Sequence, residues 1–261
     1  MTERTIAPAG ASSGASRRRA CKSTMWHMFH VPVFRPPYSR PNVAEPVAVE
    51  STVQVNRLRP VVWLWLLAFA VCAALVAFSF FRVDLPLAAY YARFSRHLAV
   101  LAEGLGSAII LSGETATVIA LVFVRLVRGK LPPFAEALAI ACLVSICAHA
   151  INDTALKLFF GVPNPTMVAQ GALHAFHPWK GSPQSSFPSG HMALASAFAG
   201  VFMRLYPISI RPLSILLFAA AALLVVGEWH FLSDVIAGTF VGISAGLLAG
   251  ELWIVHSNRP A

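Results

Sequence analysis

Two short strings in the C-terminal half of the chain carry side chains suited to acid–base and nucleophilic chemistry. His191 closes the string Phe-Pro-Ser-Gly-His at 187–191, and His230 is followed four residues later by Asp234. Residues four apart share a helix face, so the Asp234 carboxylate can fix the tautomer of the His230 ring and support its cationic form. This is the arrangement of an activated nucleophile with an orienting partner.

The residues just before the first histidine predict a site for an anion. Pro188 favours the first turn of a helix, Ser189 can cap that helix, and Gly190 lets a ligand approach the backbone. The amides at such a helix start, together with the helix dipole, attract negative charge. Lys157 adds a point charge for a phosphate, and Asp153, one helical turn before it, is expected to pair with the ammonium.

All these residues lie in or beside long apolar runs, which predict the elements that position them. The chain has 261 residues, of which 57% are hydrophobic and only 12% charged, whereas soluble domains average about 25% charged residues. Residues 60–81 carry no charge and, as a helix, are long enough to cross a hydrocarbon layer about 30 Å thick. We therefore expect an all-α, polytopic membrane protein with six transmembrane helices in one bundle. The predicted spans are 60–81, 105–127, 134–159, 191–206, 211–229 and 233–254.

The composition divides the chain into three parts. Residues 1–58 are rich in Ser, Pro and Arg and predict a disordered, basic cytoplasmic tail, which either binds anionic lipid or is simply solvated. Residues 59–256 form the six-span membrane domain, and residues 257–261 form a short cytoplasmic tail. With the N-terminus inside, fifteen of the 20 Lys and Arg residues fall on the cytoplasmic side. The positive-inside rule favours that orientation and puts the histidines on the outer side.

The sequence shows no cluster of side chains with the usual spacing of a metal site. Cys72, Cys142 and Cys147 fall within predicted spans and Cys21 in the tail, so we interpret them as small packing residues. We expect neither a metal nor another cofactor.

Other polar side chains have structural interpretations beside functional ones. His149 is expected to pack between helices, while His174 and His177 are expected to serve structure or substrate gating in an outer loop. Glu114 marks an acid within a predicted span, where ionisable groups are commonly functional.

The order of these motifs resembles the three-part signature of the type 2 phosphatidic acid phosphatase and vanadium haloperoxidase superfamily, in its membrane branch. The resemblance rests on Lys157 with Asn164-Pro165, on the Pro-Ser-Gly-His string, and on His230 with Asp234, and it covers about residues 60–255. It implies that His230 attacks phosphorus to form a phosphohistidine, that Asp234 orients this ring, and that His191 protonates the leaving oxygen.

The chain departs from the family pattern at two positions. The pattern has arginines where this chain has Asn164 and Leu224. Phosphoryl transfer depends on charge stabilisation, so each lost guanidinium would cost on the order of 3 kcal/mol, or about a hundredfold in rate. Lys180, in the loop before His191, is the candidate for the missing charge, with a solvated loop lysine as the alternative. The predicted phosphate-binding residues are Lys157, Ser189, Gly190, Lys180 and Asn164.

The resemblance implies a membrane phosphatase that hydrolyses a lipid-linked phosphate or pyrophosphate at the extracytoplasmic face. Its expected partners are a lipid phosphate substrate and membrane lipids, without nucleic acid, and its expected location is a bacterial cytoplasmic membrane. Two alternatives remain open. One is a lipid phosphotransferase of the sphingolipid-synthase kind, and the other is a catalytically silent lipid-binding relative.

Overall fold

The computed structural model describes residues 48–93 and 99–257, and the side chains of residues 61–93 and 108–257. These ranges are helical and contain no strand, which confirms the predicted all-α fold. The helices are α1 (Ala48–Phe78), α2 (Asp84–Tyr91), α3 (Ala99–Arg128), α4 (Pro133–Ile151), α5 (Lys157–Phe160), α6 (Pro165–Ala169), α7 (Gly190–Leu205), α8 (Ile210–Val226) and α9 (Leu232–Ser257). Two π-helical segments, Ser79–Val83 and Asn152–Leu156, follow α1 and α4.

The contacts divide the chain into two units, Met1–Glu50 and Ser51–Ala261, and every candidate site residue belongs to the second. Helix α1 begins at Ala48, well before the predicted start of the first span at residue 60. Most of the predicted basic tail, residues 1–47, lies outside the described residues.

Within residues 48–93 and 99–257, six long helices match the six predicted spans, and five segments are long and apolar enough to cross a membrane. The five crossing segments are Val61–Tyr91, Ala108–Arg128, Pro133–Ala169, Pro207–Val226 and Leu232–Ser257. The sixth helix, α7, has 16 residues and is therefore only about 24 Å long. Helix α7 packs mainly against α9 and α4, and most of its residues are buried.

A row of glycines lets α7 and α9 pack with their backbones in contact. Gly238, Gly242, Gly246 and Gly250 recur at every fourth residue and line one face of α9. A Cβ at Gly246 would lie 2.9 Å from the Val201 amide nitrogen, so no larger residue fits without separating the helices. Small residues allow this close approach in membrane helix pairs, where packing drives association.

Candidate active site

The starts of α7 and α9 meet beside a cavity of about 390 Å³. The amide of Ser189 donates to the carbonyl of Asp234 at 3.0 Å, which fixes the two helix starts together. The cavity is lined by His149, Asp153, Lys157, Asn164, Pro183, Gln184, Ser185, Ser186, Gly190, His191, Trp229 and His230. Residues that are up to 81 positions apart in the sequence therefore share one polar site.

Two imidazoles and a carboxylate form a row at one wall of the cavity. Nδ1 of His191 lies 3.2 Å from Nε2 of His230, and Nδ1 of His230 lies 3.6 Å from Oδ2 of Asp234. His230 is 5% exposed and Asp234 is fully buried. The two side chains face each other, as their four-residue spacing predicts. The 3.6 Å separation exceeds hydrogen-bond length, and catalytic contacts of this kind commonly shorten when substrate binds.

Backbone hydrogen bonds hold the nucleophile candidate in place. The amides of Trp229 and His230 both donate to the carbonyl of Leu224, at 3.1 and 3.3 Å, which folds the segment after α8 back on its last turn. Oδ2 of Asp234 accepts from the amide of Phe231 at 2.8 Å. The same carboxylate therefore caps the start of α9 and faces the His230 ring.

Lys157 lies across the cavity from these groups, almost buried at 7% exposure. Its ammonium is 2.9 Å from Oδ1 of Asp153, which confirms the predicted pair, and it donates to the carbonyl of Pro183 at 3.1 Å. An ammonium has three N–H donors, so one remains for an oxygen of a bound anion.

The loop before α7 clamps the helix end that carries Lys157. Its amides donate to the last carbonyls of α5: His177 to Phe160 at 3.0 Å and Gly181 to Leu158 at 3.2 Å. Gly161 ends α5 with φ of +60°, a conformation that favours glycine, and a Cβ there would collide with the His177 carbonyl. The unpaired carbonyls of the helix end are thus satisfied by the loop, which fixes the position of Lys157.

The Pro-Ser-Gly-His string packs directly on α4 and the π-helical segment after it. Nδ2 of Asn152 donates to the carbonyl of Pro188 at 3.0 Å. A Cβ at Gly190 would come within 2.8 Å of Oδ1 of Asp153 and 3.1 Å of Nδ1 of His149. Glycine is required here by neighbouring side chains of the protein as well as by access for a ligand.

The structure brings only some of the predicted phosphate-binding residues to the cavity. Lys157, Gly190 and Asn164 line it. Ser189 is fully buried and caps α7, because its Oγ accepts from the amide of Met192 at 3.3 Å. Lys180 is exposed and does not belong to the lining, so the structure gives the predicted charge compensation no geometric support.

The two positions without arginine have structural roles in this chain. Oδ1 of Asn164 caps α6 by accepting from the amide of Met167 at 2.7 Å, and its Nδ2 donates to the carbonyl of Gln184 at 3.3 Å. Leu224 is 5% exposed and packs in an apolar cluster with Met192 and Val235. Among the described residues of the lining, Lys157 is therefore the sole Lys or Arg.

A second buried acid lies behind the site and was not identified from the sequence. Asp84, 1% exposed, accepts from the amide of Ser233 at 3.1 Å and from its hydroxyl at 2.5 Å, at the start of α9. Nε2 of His174 lies 3.7 Å from Oδ2 of Asp84, and its ring stacks on Phe80 with centroids 4.2 Å apart. The first helices thus brace the helix that carries Asp234.

Burial lowers the pKa of His174 below its ordinary value of 6.5, and the negative charge of Asp234 opposes this effect. Its side chain is 4% exposed and faces the aromatic ring of Phe231 on one side. The structure therefore supports the structural interpretation of His174, since the ring does not line the cavity.

Two residues that the sequence did not assign to the site line the cavity. His149, expected to pack between helices, faces the cavity, and Trp229 stacks over His191 with ring centroids 6.2 Å apart. The spacing of His149, Asp153 and Lys157, each four residues from the next, was the available signal for a shared helix face. Within the described residues, no group of three or more His, Cys, Asp or Glu side chains is placed to hold a metal ion.

Comparison with known proteins gives one family. The model described as PAP2 superfamily matches residues 137–255, from α4 to the end of α9. No curated protein and no solved structure matches the chain. The match supports the resemblance to this superfamily over those residues, and it supports a phosphatase-type function on lipid phosphates in general.

Proposed function

We propose, from the membership of residues 137–255 in the PAP2 superfamily and from the geometry of the cavity, that this chain is an integral membrane phosphatase. Its substrate is a lipid-linked phosphate or pyrophosphate, and the reaction passes through a phosphohistidine. The 3.2 Å approach of His191 Nδ1 to His230 Nε2, in a cavity that also contains Lys157, carries this proposal. One ring can attack phosphorus while the other serves the leaving oxygen.

In the first step, Nε2 of His230 forms a bond to phosphorus and the bond from phosphorus to the lipid oxygen breaks. His191 gives a proton to that oxygen, so the lipid leaves as an alcohol, or as a monophosphate when the substrate is a pyrophosphate. The His230 ring becomes cationic when its Nε2 is bonded to phosphorus, and Asp234 next to its Nδ1 stabilises this charge.

In the second step, water attacks the phosphorus and the bond from phosphorus to Nε2 of His230 breaks. His191 takes a proton from the water, which restores both rings and releases inorganic phosphate. The remaining N–H of Lys157 and the amides at the start of α7 bind phosphoryl oxygens during both steps; the position of Lys157 and Gly190 in the cavity lining supports this role.

The direct test is release of phosphate by the purified protein in lipid nanodiscs. A panel of lipid monophosphates and pyrophosphates is offered with and without an acceptor lipid that carries a free hydroxyl. We expect free phosphate in both conditions. A phosphorylated acceptor without free phosphate would favour a phosphotransferase, and absence of both products from every lipid would favour a silent binding protein.

We also propose that the cavity faces away from the cytoplasm, because fifteen of the 20 Lys and Arg residues fall on the other side. Ala172 lies in the exposed loop on the cavity side, and Ile208, 91% exposed, lies at the opposite end of α7. In a chain without native cysteines, Ala172→Cys should react with an impermeant thiol reagent in intact cells, and Ile208→Cys should react only after permeabilisation. The reverse pattern would invert the orientation.

A further inference from the structure

The charge of the cavity lining is small for a site that binds phosphate. Lys157 is its sole Lys or Arg among the described residues, and Asp153, 2.9 Å away, carries the opposite charge. These two fixed charges cancel, while a phosphate monoester carries between one and two negative charges near neutral pH. Beside the backbone amides at the start of α7, the lining contains three imidazoles that can carry positive charge, those of His149, His191 and His230.

An oxygen atom lies close to each ring nitrogen of His149. Nδ1 lies 3.3 Å from the carbonyl oxygen of Gly190, and Nε2 lies 3.6 Å from Oδ2 of Asp153. A carbonyl and a carboxylate can only accept hydrogen bonds, so each nitrogen is best matched when it carries a proton. Only the imidazolium form carries both protons.

Asp153 stands between this ring and the lysine. Its Oδ2 faces His149 and its Oδ1 faces Lys157, and all three residues follow one face of the helix at intervals of four. When His149 is protonated, the carboxylate is shared between two cations and the group has a net charge of +1. When His149 is neutral, the carboxylate neutralises Lys157 and the net charge is zero.

Other titratable groups near His149 lie on α7, in the segment before α9 and on α3. His191 lies on α7 and His230 in the segment before α9, and both line the same cavity. Oε1 of Glu114 on α3 accepts from the hydroxyl of Ser145, one helical turn before His149, at 3.0 Å. Asp153 is the carboxylate that contacts the ring directly.

We propose that His149 is a positioning residue that makes phosphate binding depend on pH. It acts through Asp153: protonation of the ring draws the carboxylate away from Lys157 and leaves the ammonium to the substrate phosphate. The proposal deepens the proposed function and rests on it for the identity of the anion. It also identifies a source of positive charge in a site whose lining has no arginine.

Sulfate is a suitable probe because its charge of −2 stays constant between pH 5.5 and 8. Its dissociation constant is measured from the stabilisation of the purified protein against heat, which requires no turnover. For the unaltered chain we expect the dissociation constant to rise by about tenfold between pH 5.5 and pH 8, because the site loses the positive charge of the His149 ring. In His149→Gln it should be weak at both pH values.

A second variant separates this role from a packing role. Asp153→Asn removes the carboxylate that His149 controls, so sulfate should bind at pH 8 about as tightly as it binds the unaltered chain at pH 5.5. Adding His149→Gln to Asp153→Asn should then change little at pH 8. If His149→Gln keeps the full pH dependence of the unaltered chain, or Asp153→Asn fails to tighten binding at pH 8, the proposal is overturned.

The experiment also separates this proposal from the proposed function. If no lipid phosphate is hydrolysed but sulfate binding follows the expected pattern, the phosphatase proposal fails and the role of His149 stands. If lipid phosphates are hydrolysed and sulfate does not bind, or binds without dependence on His149, the phosphatase proposal stands and the role of His149 fails.

Discussion

The two halves of the cavity are built by different means. The half with His191, His230 and Asp234 stands on α7 and α9, whose backbones touch along a row of glycines. The half with Lys157 and Asn164 depends on side chains that reach loop carbonyls, as in the contacts to Pro183 and Gln184. The proposed catalytic groups are therefore fixed by helix packing, whereas the side chains of Lys157 and Asn164 can be replaced without disturbing the contact between α7 and α9.

This difference gives a physical reason for the departures from the family pattern. Asn164 occupies a loop position where the side chain can become a helix cap, and Leu224 completes an apolar cluster. Neither side chain contacts the side chain of His191, His230 or Asp234 in the hydrogen bonds and ion pairs described above. We call the part with His191, His230 and Asp234 the catalytic half and the part with Lys157 and Asn164 the charge half. We expect substitutions along the helix contact under the catalytic half to unfold the protein, and substitutions in the charge half to change activity but not stability.

The largest expected effect comes from separating α7 and α9. A side chain at Gly242 would collide with the carbonyl of Ala193 and approach the amide nitrogen of Ala197 within 2.8 Å. We expect Gly242→Leu to lower the free energy of unfolding by about 3 kcal/mol or more and the melting temperature by about 6–12 °C, with loss of activity. The matched control is Gly113→Leu on α3, where nothing lies within 4 Å of the new Cβ. Equal melting temperatures for the two variants would contradict the rigid-packing account.

The next largest effect concerns the acid of the catalytic half. His191→Ala should lower kcat on lipid phosphates by about 10²- to 10⁴-fold, because the leaving oxygen loses its proton donor. The loss in the first step, release of the leaving group during a single turnover, should be much smaller for a substrate with a good leaving group, such as an aryl phosphate. His256→Ala, at the opposite end of α9, serves as the histidine control and should be silent. An equal loss on both substrates in this first step, which precedes the attack of water, would show that His191 is not the acid.

A pair of lysines tests the charge half. Lys157→Gln should lower kcat/KM by about a hundredfold, because the remaining donor for a phosphoryl oxygen is lost. Lys180→Gln should change it less than about twofold, because Lys180 is exposed outside the lining. A large loss for Lys180→Gln would restore the compensation predicted from the sequence.

The smallest effect tests the brace behind the site. Burial lowers the pKa of His174, so between that value and 6.5 the unfolded chain binds a proton that the folded chain does not. The contribution of the neutral ring to the free energy of unfolding is complete above pH 6.5, and it is lost as the pH falls from 6.5 through the pKa of the folded state. His174→Phe retains an aromatic ring next to Phe80, and its melting temperature should fall less than that of the unaltered chain between pH 7 and pH 5. Identical pH dependences would exclude His174 as the titrating group.

The sequence was sufficient to predict the helical class, the six long helices and the proximity of His191, His230 and Asp234. Each of these leaves a local pattern, namely a charge-free run of spanning length, the Pro-Ser-Gly-His string, or a histidine four residues before an aspartate. The pairing of Asp153 with Lys157 followed from the same spacing rule and is confirmed.

The rest depended on contacts between distant segments, which no local pattern encodes. Asp84 reaches Ser233 across 149 positions, and only the packing of α9 shows that this acid caps its start. Lys180 is close to His191 in sequence, yet the loop path leaves it outside the cavity. For His149 the four-residue spacing was visible, but the carbonyl of Gly190 that completes its surroundings was not.

The central claim is a covalent phosphoryl group on His230. The purified protein in nanodiscs is mixed with a lipid phosphate labelled in its terminal phosphoryl group and quenched at alkaline pH, which preserves phosphohistidine. Mass spectrometry of the peptides then locates the label. The account predicts a phosphoryl group on His230 during turnover and no label in His230→Ala, whose kcat should fall by at least about 10⁴-fold. Full activity of His230→Ala, or a label on His191 instead, would contradict it.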